Sequence, residues 1–186
     1  MFYDKIQVQI LSLTIKILEV KKIKILAFDQ STALTGYAFF QESTLISYGL
    51  IDCRNRKSNE YVGINNMMKL ICEKIAKASP EIVVFEDTVF STNAKTLKDL
   101  SKIQGAILYY CFTHNIETKI YLPAQWRMLL DMQKKGAKRK ELKKMAQIFV
   151  HNTFGVDAKE DVADAICIGF AYIKECLGIK GDKNND

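Results

Sequence analysis

At 186 residues, 48% apolar with two Pro and nine Gly, the chain has the length of one domain and can bury a full core without disulfides or a structural metal. That composition excludes disordered, collagen-like and low-complexity classes. The formal net charge is +6, and it is concentrated. Between Gln133 and Lys144, seven basic residues (Lys134, Lys135, Lys138, Arg139, Lys140, Lys143, Lys144) stand against Glu141, which leaves the rest of the chain close to neutral. Such a stripe on a balanced protein is the footprint of a polyanion site, most often nucleic acid, with a solvated helix face as the alternative.

The five Cys (Cys53, Cys72, Cys111, Cys167, Cys176) are odd in number and form no CxxC pair. They read as free core thiols in a reducing compartment rather than a zinc site or disulfide framework. The apolar stretch from Ile6 to Val20 is interrupted by Gln7, Gln9, Lys16 and Glu19, is too short to span a bilayer, and precedes no small-residue cleavage site. The expectation is a soluble, intracellular, cytoplasmic protein.

Met1 to Lys22 reads as an N-terminal extension of unknown role. Ile23 to Phe28 is then a short apolar run ending in Asp29, the pattern of a buried strand. A polar turn over Gln30 to Leu34 leads to a returning strand, Gly36 to Phe40, and Leu45 to Ile51 makes a third, completing an antiparallel meander. Ile64, Met67, Met68, Ile71 and Ile75 have helical spacing, and Pro80 stops that helix. Ile82 to Phe85 is a second buried strand ending in a carboxylate, Glu86. Leu97, Leu100, Gln104, Ile107, Leu108 and Cys111 mark another helix, and Lys119 to Leu122 a short strand before Pro123. Leu142, Met145, Ala146 and Phe149 give the basic segment an apolar helical face. Asp161 to Glu175 is a helix apolar nearly all round, hence buried. Residues 178–186 form a polar tail. Three hairpin-linked strands followed by strands with helical crossovers predict an α/β fold, with one mixed sheet flanked by helices over residues 23–177.

Four acids stand out by position. Asp29 and Glu86 end apolar strands, and if those strands are adjacent and parallel both emerge at one sheet edge. Asp161 and Asp164, three apart, share a helix face. Asp164 is flanked by Val162, Ala163, Ala165 and Ile166, where an ionised carboxylate is costly unless paired or bound to a cation. Three have a plainer reading, Asp29 as a turn cap, Asp161 as a helix N-cap and Glu86 more weakly, whereas Asp164 has none. Together they point to a divalent ion. Oxygen-only ligands favour Mg²⁺ or Mn²⁺, and two such ions can activate water and stabilise the leaving oxygen in phosphodiester hydrolysis. No Lys, His or Cys adjoins the acids, which argues against a side-chain nucleophile, and His114 and His151 lie outside the acidic motifs.

At these residues the chain resembles a known family. Lys24 to Ala38, with its core Asp-Gln-Ser-Thr at 29–32, is similar to the first motif of the RuvC-type Holliday junction resolvases, and Ile82 to Asp87 to the second. Asn93, Ala94, Leu97, Leu100, Gln104 and Gly105 resemble the helix that follows, and Asp161 to Ile168 the closing motif, in matching order from about Lys24 to Glu175. The resemblance implies a ribonuclease H-like fold with a five-stranded sheet, a homodimer, and Mg²⁺-dependent paired nicking of four-way DNA junctions, with roles in recombination and repair. It carries over Asp29, Glu86, Asp161 and Asp164 as the metal-binding catalytic quartet. It also implies Arg127 and the Lys138, Arg139, Lys140 cluster as phosphate contacts; Lys134 and Lys135 from the stripe, and Phe90, complete the expected DNA-binding set. Two positions depart from the pattern: Val89 stands where the bacterial family has a base-probing aromatic, with Phe90 next, and Asp87 where an amide is usual. The Asp-Gln-Ser-Thr motif and compact length look most like the resolvases of bacteriophages and their relatives, which cut branched DNA more broadly; phage encoding in a bacterial host is one origin the resemblance allows, and the sequence leaves the host open.

Three other readings compete. An actin-like ATPase or sugar kinase needs a second domain and a second phosphate loop, and neither is present in the sequence. A related nuclease acting on flaps or RNA shares the same motifs. A non-catalytic nucleic-acid-binding relative is opposed by the intact quartet.

Overall fold

The computed structural model describes residues 23–54, 60–88, 93–134 and 136–178. The N-terminal extension, the tail beyond residue 178, Val89, Phe90 and Lys135 lie outside the described residues. Along the chain run β1 (Lys24–Asp29), β2 (Leu34–Gln41), β3 (Thr44–Asp52), α1 (Glu60–Ala78), β4 (Ile82–Glu86), α2 (Ala94–Thr113), β5 (Glu117–Tyr121), α3 (Pro123–Leu129), α4 (Arg139–Phe154) and α5 (Glu160–Leu177).

The sheet order is β3-β2-β1-β4-β5. β1–β2 and β2–β3 pair antiparallel, while β1–β4 and β4–β5 pair parallel. This is the expected three-strand meander plus two parallel strands. The β2–β3 turn places Glu42 and Ser43 at φ 56° and 71°, the left-handed pair whose twist matches a two-residue hairpin.

β1 and β4 are apolar on both faces because both faces are covered. Ile25, Ala27, Ile82 and Val84 point into one core with α3, α4 and α5, whereas Leu26, Phe28, Val83 and Phe85 point into another with α1 and α2. Helix α5 supplies ten buried residues, Asp164 among them. It lies so close to the sheet that a Cβ on Gly169 would fall 2.6 Å from the Phe40 ring. Each fully buried Ile or Leu in these layers contributes roughly 1.5–3 kcal/mol.

One element was not expected from the sequence. Pro123, which follows the expected strand, opens the short helix α3 at a position where its missing N–H costs nothing. The Leu122 backbone N–H is satisfied by Gln125 Oε1 at 2.8 Å. Helix α3 buries Trp126 completely against the α5 core.

Candidate active site

Asp29 and Glu86 end neighbouring parallel strands, one residue beyond the Phe28–Phe85 register pair. Both therefore emerge at the carboxyl edge of the sheet, where open α/β sheets place their ligands. The chain then turns away through Gln30–Ala33. Ser31 Oγ accepts from the Ala33 and Leu34 amides, and Thr35 Oγ1 accepts from the Ser31 amide while donating to its carbonyl. The Gln30 side-chain amide donates to the Glu86 carbonyl, tying the two strand ends together. With the turn held by Ser31 and Thr35, the capping role weighed for Asp29 is filled by others.

Helix α5 delivers the other two acids. Lys159 is its N-cap, so Asp161 lies in the first turn, where the helix dipole favours a negative charge. Asp164 follows one turn on and is 5% exposed. The approach depends on Gly36, the register partner of Asp29: a Cβ there would sit 1.9 Å from the Asp161 carbonyl oxygen.

The four carboxylates repel one another. Burial pushes the Asp29 carboxyl well above the ordinary carboxylate range, and Asp164, Glu86 and Asp161 add to that, opposed by Lys143. Burial also raises Asp164, with Lys143 and Arg127 pulling the other way. Burial raises Glu86 as well, against a hydrogen bond from Trp126 and the attraction of Arg127.

Lys143 overturns the expectation that no lysine adjoins these acids. Its Nζ lies 2.8 Å from Asp161 Oδ1, 3.5 Å from Asp164 Oδ2 and 3.7 Å from Glu160 Oε2. The contact is made across the α4–α5 packing, between residues seventeen or more apart, so sequence adjacency to the acids could not show it. Helical spacing could: Lys143 shares its face with the fully buried Ala146 and Val150.

Two residues of α3 complete the surroundings. Trp126 Nε1 donates to Glu86 Oε2 at 2.6 Å. Arg127, expected to contact phosphate, stacks on the Trp126 ring at 4.2 Å, and its Nε is buried without a hydrogen-bond partner. Behind Glu86, Gln104 of α2 donates to Asp87 Oδ1 at 3.0 Å and accepts from Thr88 Oγ1 at 2.9 Å, fixing the strand exit. Trp126 and Lys143 are absent from the expected site. A sole tryptophan beside an arginine was a weak signal for the first of them.

Lys134, Lys138, Arg139 and Lys140 are exposed just before and at the start of α4, and Arg139 and Lys140 precede Lys143 by about one turn, so the basic helix start borders the acids. Lys134 lies 3.9 Å from Glu141. The histidines are elsewhere: His114 stacks on Tyr110, and His151 lies 2.9 Å from Asp157.

The donor set suits a hard divalent cation. All four acids offer oxygen, and Asp164 Oδ1 is buried with no hydrogen-bond partner. As they stand, no three Asp, Glu, His or Cys side chains among the described residues form a closed ligand cage; the ammonium of Lys143 is the cation against Asp161 and Asp164.

A meander continued by two parallel strands, covered on both faces by helices and carrying acids at the β1 and β4 ends and on the last helix, defines a ribonuclease H-like protein. A family profile described as "Crossover junction endodeoxyribonuclease RuvC" matches residues 25–172, and the chain belongs to that family. The RuvC of Caldicellulosiruptor saccharolyticus is 24% identical over 156 residues, covering 81% of this chain and 92% of the relative. That of Dictyoglomus thermophilum is 26% identical over 159 residues, covering 81% and 98%. Among solved structures, Thermus thermophilus RuvC in complex with a Holliday junction substrate superposes with a TM-score of 0.68 at 14% identity, over 84% of this chain and 97% of that one. The yeast mitochondrial Holliday junction resolvase Ydc2 gives 0.52 at 14% identity, over 84% and 81%.

Proposed function

We propose that the protein is a crossover junction endodeoxyribonuclease that resolves four-way DNA junctions by phosphodiester hydrolysis, with Asp29, Glu86, Asp161 and Asp164 as the catalytic quartet. The observation that carries this reading is the convergence of the four acids, from β1, β4 and α5, on one carboxyl sheet edge beside an exposed basic helix start.

Asp29, Glu86, Asp161 and Asp164 would hold Mg²⁺ or Mn²⁺, two ions in the substrate complex. Such ions, when bound, supply the charge that activates a water and offsets the negative charge on the leaving oxygen. The chain's own groups do the placing. Trp126 holds one oxygen of Glu86 and leaves the other for the site. Gly36 lets α5 bring Asp161 beside Asp29. Lys138, Arg139 and Lys140, with Lys134, Lys135 and Arg127, would receive phosphates, and Phe90 would meet the junction bases.

Paired nicking needs two such sites. Tyr109 and Phe112, 72% and 81% exposed and three apart on α2, offer an apolar patch that supports a homodimer. Among the described residues no helix is long and apolar enough to cross a membrane, and the relatives named above are bacterial where they are RuvC proteins. A cytoplasmic enzyme of a bacterial cell, chromosomal or phage-encoded, fits both.

The test is cleavage of a labelled four-way junction beside a linear duplex and a flap, with and without Mg²⁺. Symmetric nicks in the junction alone, dependent on the ion, are expected. Equal cutting of flaps would make it a broader branched-DNA nuclease. Tight junction binding with no cutting of any substrate would overturn the enzymatic reading.

A further inference from the structure

The carboxylate cluster holds a cation of its own. Lys143 is mostly buried, with its side chain 13% exposed. It reaches from α4 to the two α5 acids, Asp161 Oδ1 at 2.8 Å and Asp164 Oδ2 at 3.5 Å, with Glu160 at 3.7 Å. An ammonium between two carboxylates supplies a single charge and directional donors, whereas a divalent ion on the same pair needs their oxygens turned inward. Both cannot use Asp161 Oδ1 at full strength.

We infer that Lys143 is a resident counter-cation: it gathers Asp161 and Asp164 while no divalent ion is bound, and it must swing away from that pair when one binds there. The inference rests on the metal-dependent reading above and adds to it. The protein is thereby kept folded around four mutually repelling acids, at the expense of affinity for free ions. Tight uptake then awaits the substrate, whose phosphate oxygens add ligands and whose backbone offers the displaced ammonium a new partner. Lys143 is a positioning residue in this scheme and takes no part in bond making.

The surrounding charges agree with that role. Burial works against the Lys143 charge, but the hydrogen bond to Asp161 and the fields of Asp164, Asp161 and Asp29 more than offset it, so its pKa stands above the ordinary lysine value. Lys144, the next residue, is exposed and faces away towards His151 and Asp157.

Two measurements test the inference on the full chain. The first is calorimetric titration of Mn²⁺ into wild type, Lys143→Met and Lys143→Arg without DNA. Removing a competing charge a few ångströms from the ion should tighten uptake by about tenfold or more in Lys143→Met, while Lys143→Arg, which keeps the charge, stays near wild type. Unchanged or weaker uptake by Lys143→Met would overturn the displacement. The second uses unaltered protein, so it stands even if Lys143→Met folds poorly. Acetylation by an N-hydroxysuccinimide ester, read by peptide mass spectrometry, should show Lys143 protected in EDTA and several-fold more reactive in Mn²⁺, relative to exposed Lys138. Equal or lower reactivity in Mn²⁺ would mean that Lys143 stays in place, which refutes the inference. Absence of Mn²⁺ uptake in every form would instead bring down the metal-dependent reading, and this one with it.

Discussion

The indole N–H of Trp126 donates to Oε2 of Glu86 across 2.6 Å, joining the protein's one tryptophan to an acid at the sheet edge. The ring is fully buried and backed by the Arg127 guanidinium, so the donor cannot swing away and the carboxylate plane is fixed. A hydrogen bond to a charged group contributes about 1.5–3 kcal/mol. Trp126→Phe keeps most of the packing and removes the donor. Junction cleavage should therefore slow by roughly 10- to 100-fold, with the junction affinity unchanged. Single-turnover rates beside band-shift titrations check this, and an unaltered rate would mean that Glu86 is held by other contacts.

Gly36 and Asp161 are in closer register than any side chain permits. A Cβ at residue 36 would meet a backbone carbonyl at 1.9 Å, which cannot be relieved by a rotamer change. Gly36→Ala must push α5 off the sheet by more than an ångström, carrying Asp161 away from Asp29. Overpacking of this kind costs about 1–3 kcal/mol or more. Thermal denaturation should show the loss, and cleavage should fall far more than the stability loss explains. A stable, fully active variant would show that the helix has another way to lie.

Much of this was legible in the chain. The runs ending in Asp29 and Glu86, the three-residue spacing of Asp161 and Asp164, and the helical periodicities gave the sheet, its flanking helices and the four acids, because these signals are local. What stayed hidden is tertiary. Lys143 belongs to the basic stripe, and one-dimensional charge density does not show that it shares a face with Ala146 and Val150 and turns inward. Trp126 stands outside the expected site because no apolar period marks a helix after Pro123, the residue that opens α3. The need for Gly36 is invisible until α5 lies across β2. The plainer roles weighed for Asp29 and Asp161 fell to Ser31, Thr35 and Lys159, which occupy the turn and cap positions.

The acid cluster is a source of strain that neutral substitutions relieve. Burial and three neighbouring carboxylates hold the Asp29 pKa well above its ordinary value, so its charged form is disfavoured in the folded protein relative to the unfolded chain. Asp29→Asn removes that cost at neutral pH. In EDTA its Tm should rise, by about 2–4 °C for each kcal/mol relieved in a chain of this size. Asp164→Asn should gain less, because Lys143 and Arg127 already compensate that carboxylate. Both variants should lose junction cleavage and keep junction binding, and Mg²⁺ should raise their Tm less than that of wild type. Calorimetric scans with and without the ion, run beside cleavage gels, decide the matter. A destabilised, non-binding Asp29→Asn would make that residue structural.

The exposed basic residues before and at the start of α4 differ from Lys143 in what they face. Lys138, Arg139 and Lys140 are open to solvent, and the polyanion they would meet is the DNA backbone bordering the acids. Each phosphate neutralised releases counterions, so the slope of log K against log salt changes by about 0.9 per contact on duplex arms. The triple change Lys138→Gln, Arg139→Gln, Lys140→Gln should weaken junction binding and flatten the slope by roughly 2 to 3 if all three residues touch phosphate. Cleavage at saturating junction should fall much less than affinity, since none of the three contacts an acid of the quartet. Lys143→Met provides the contrast: its effect belongs to metal uptake and should leave the salt slope of metal-free binding within about one contact of wild type. Binding isotherms from low to moderate salt in EDTA separate the two cases. A triple variant with the wild-type slope would reduce the stripe to a solvated helix face.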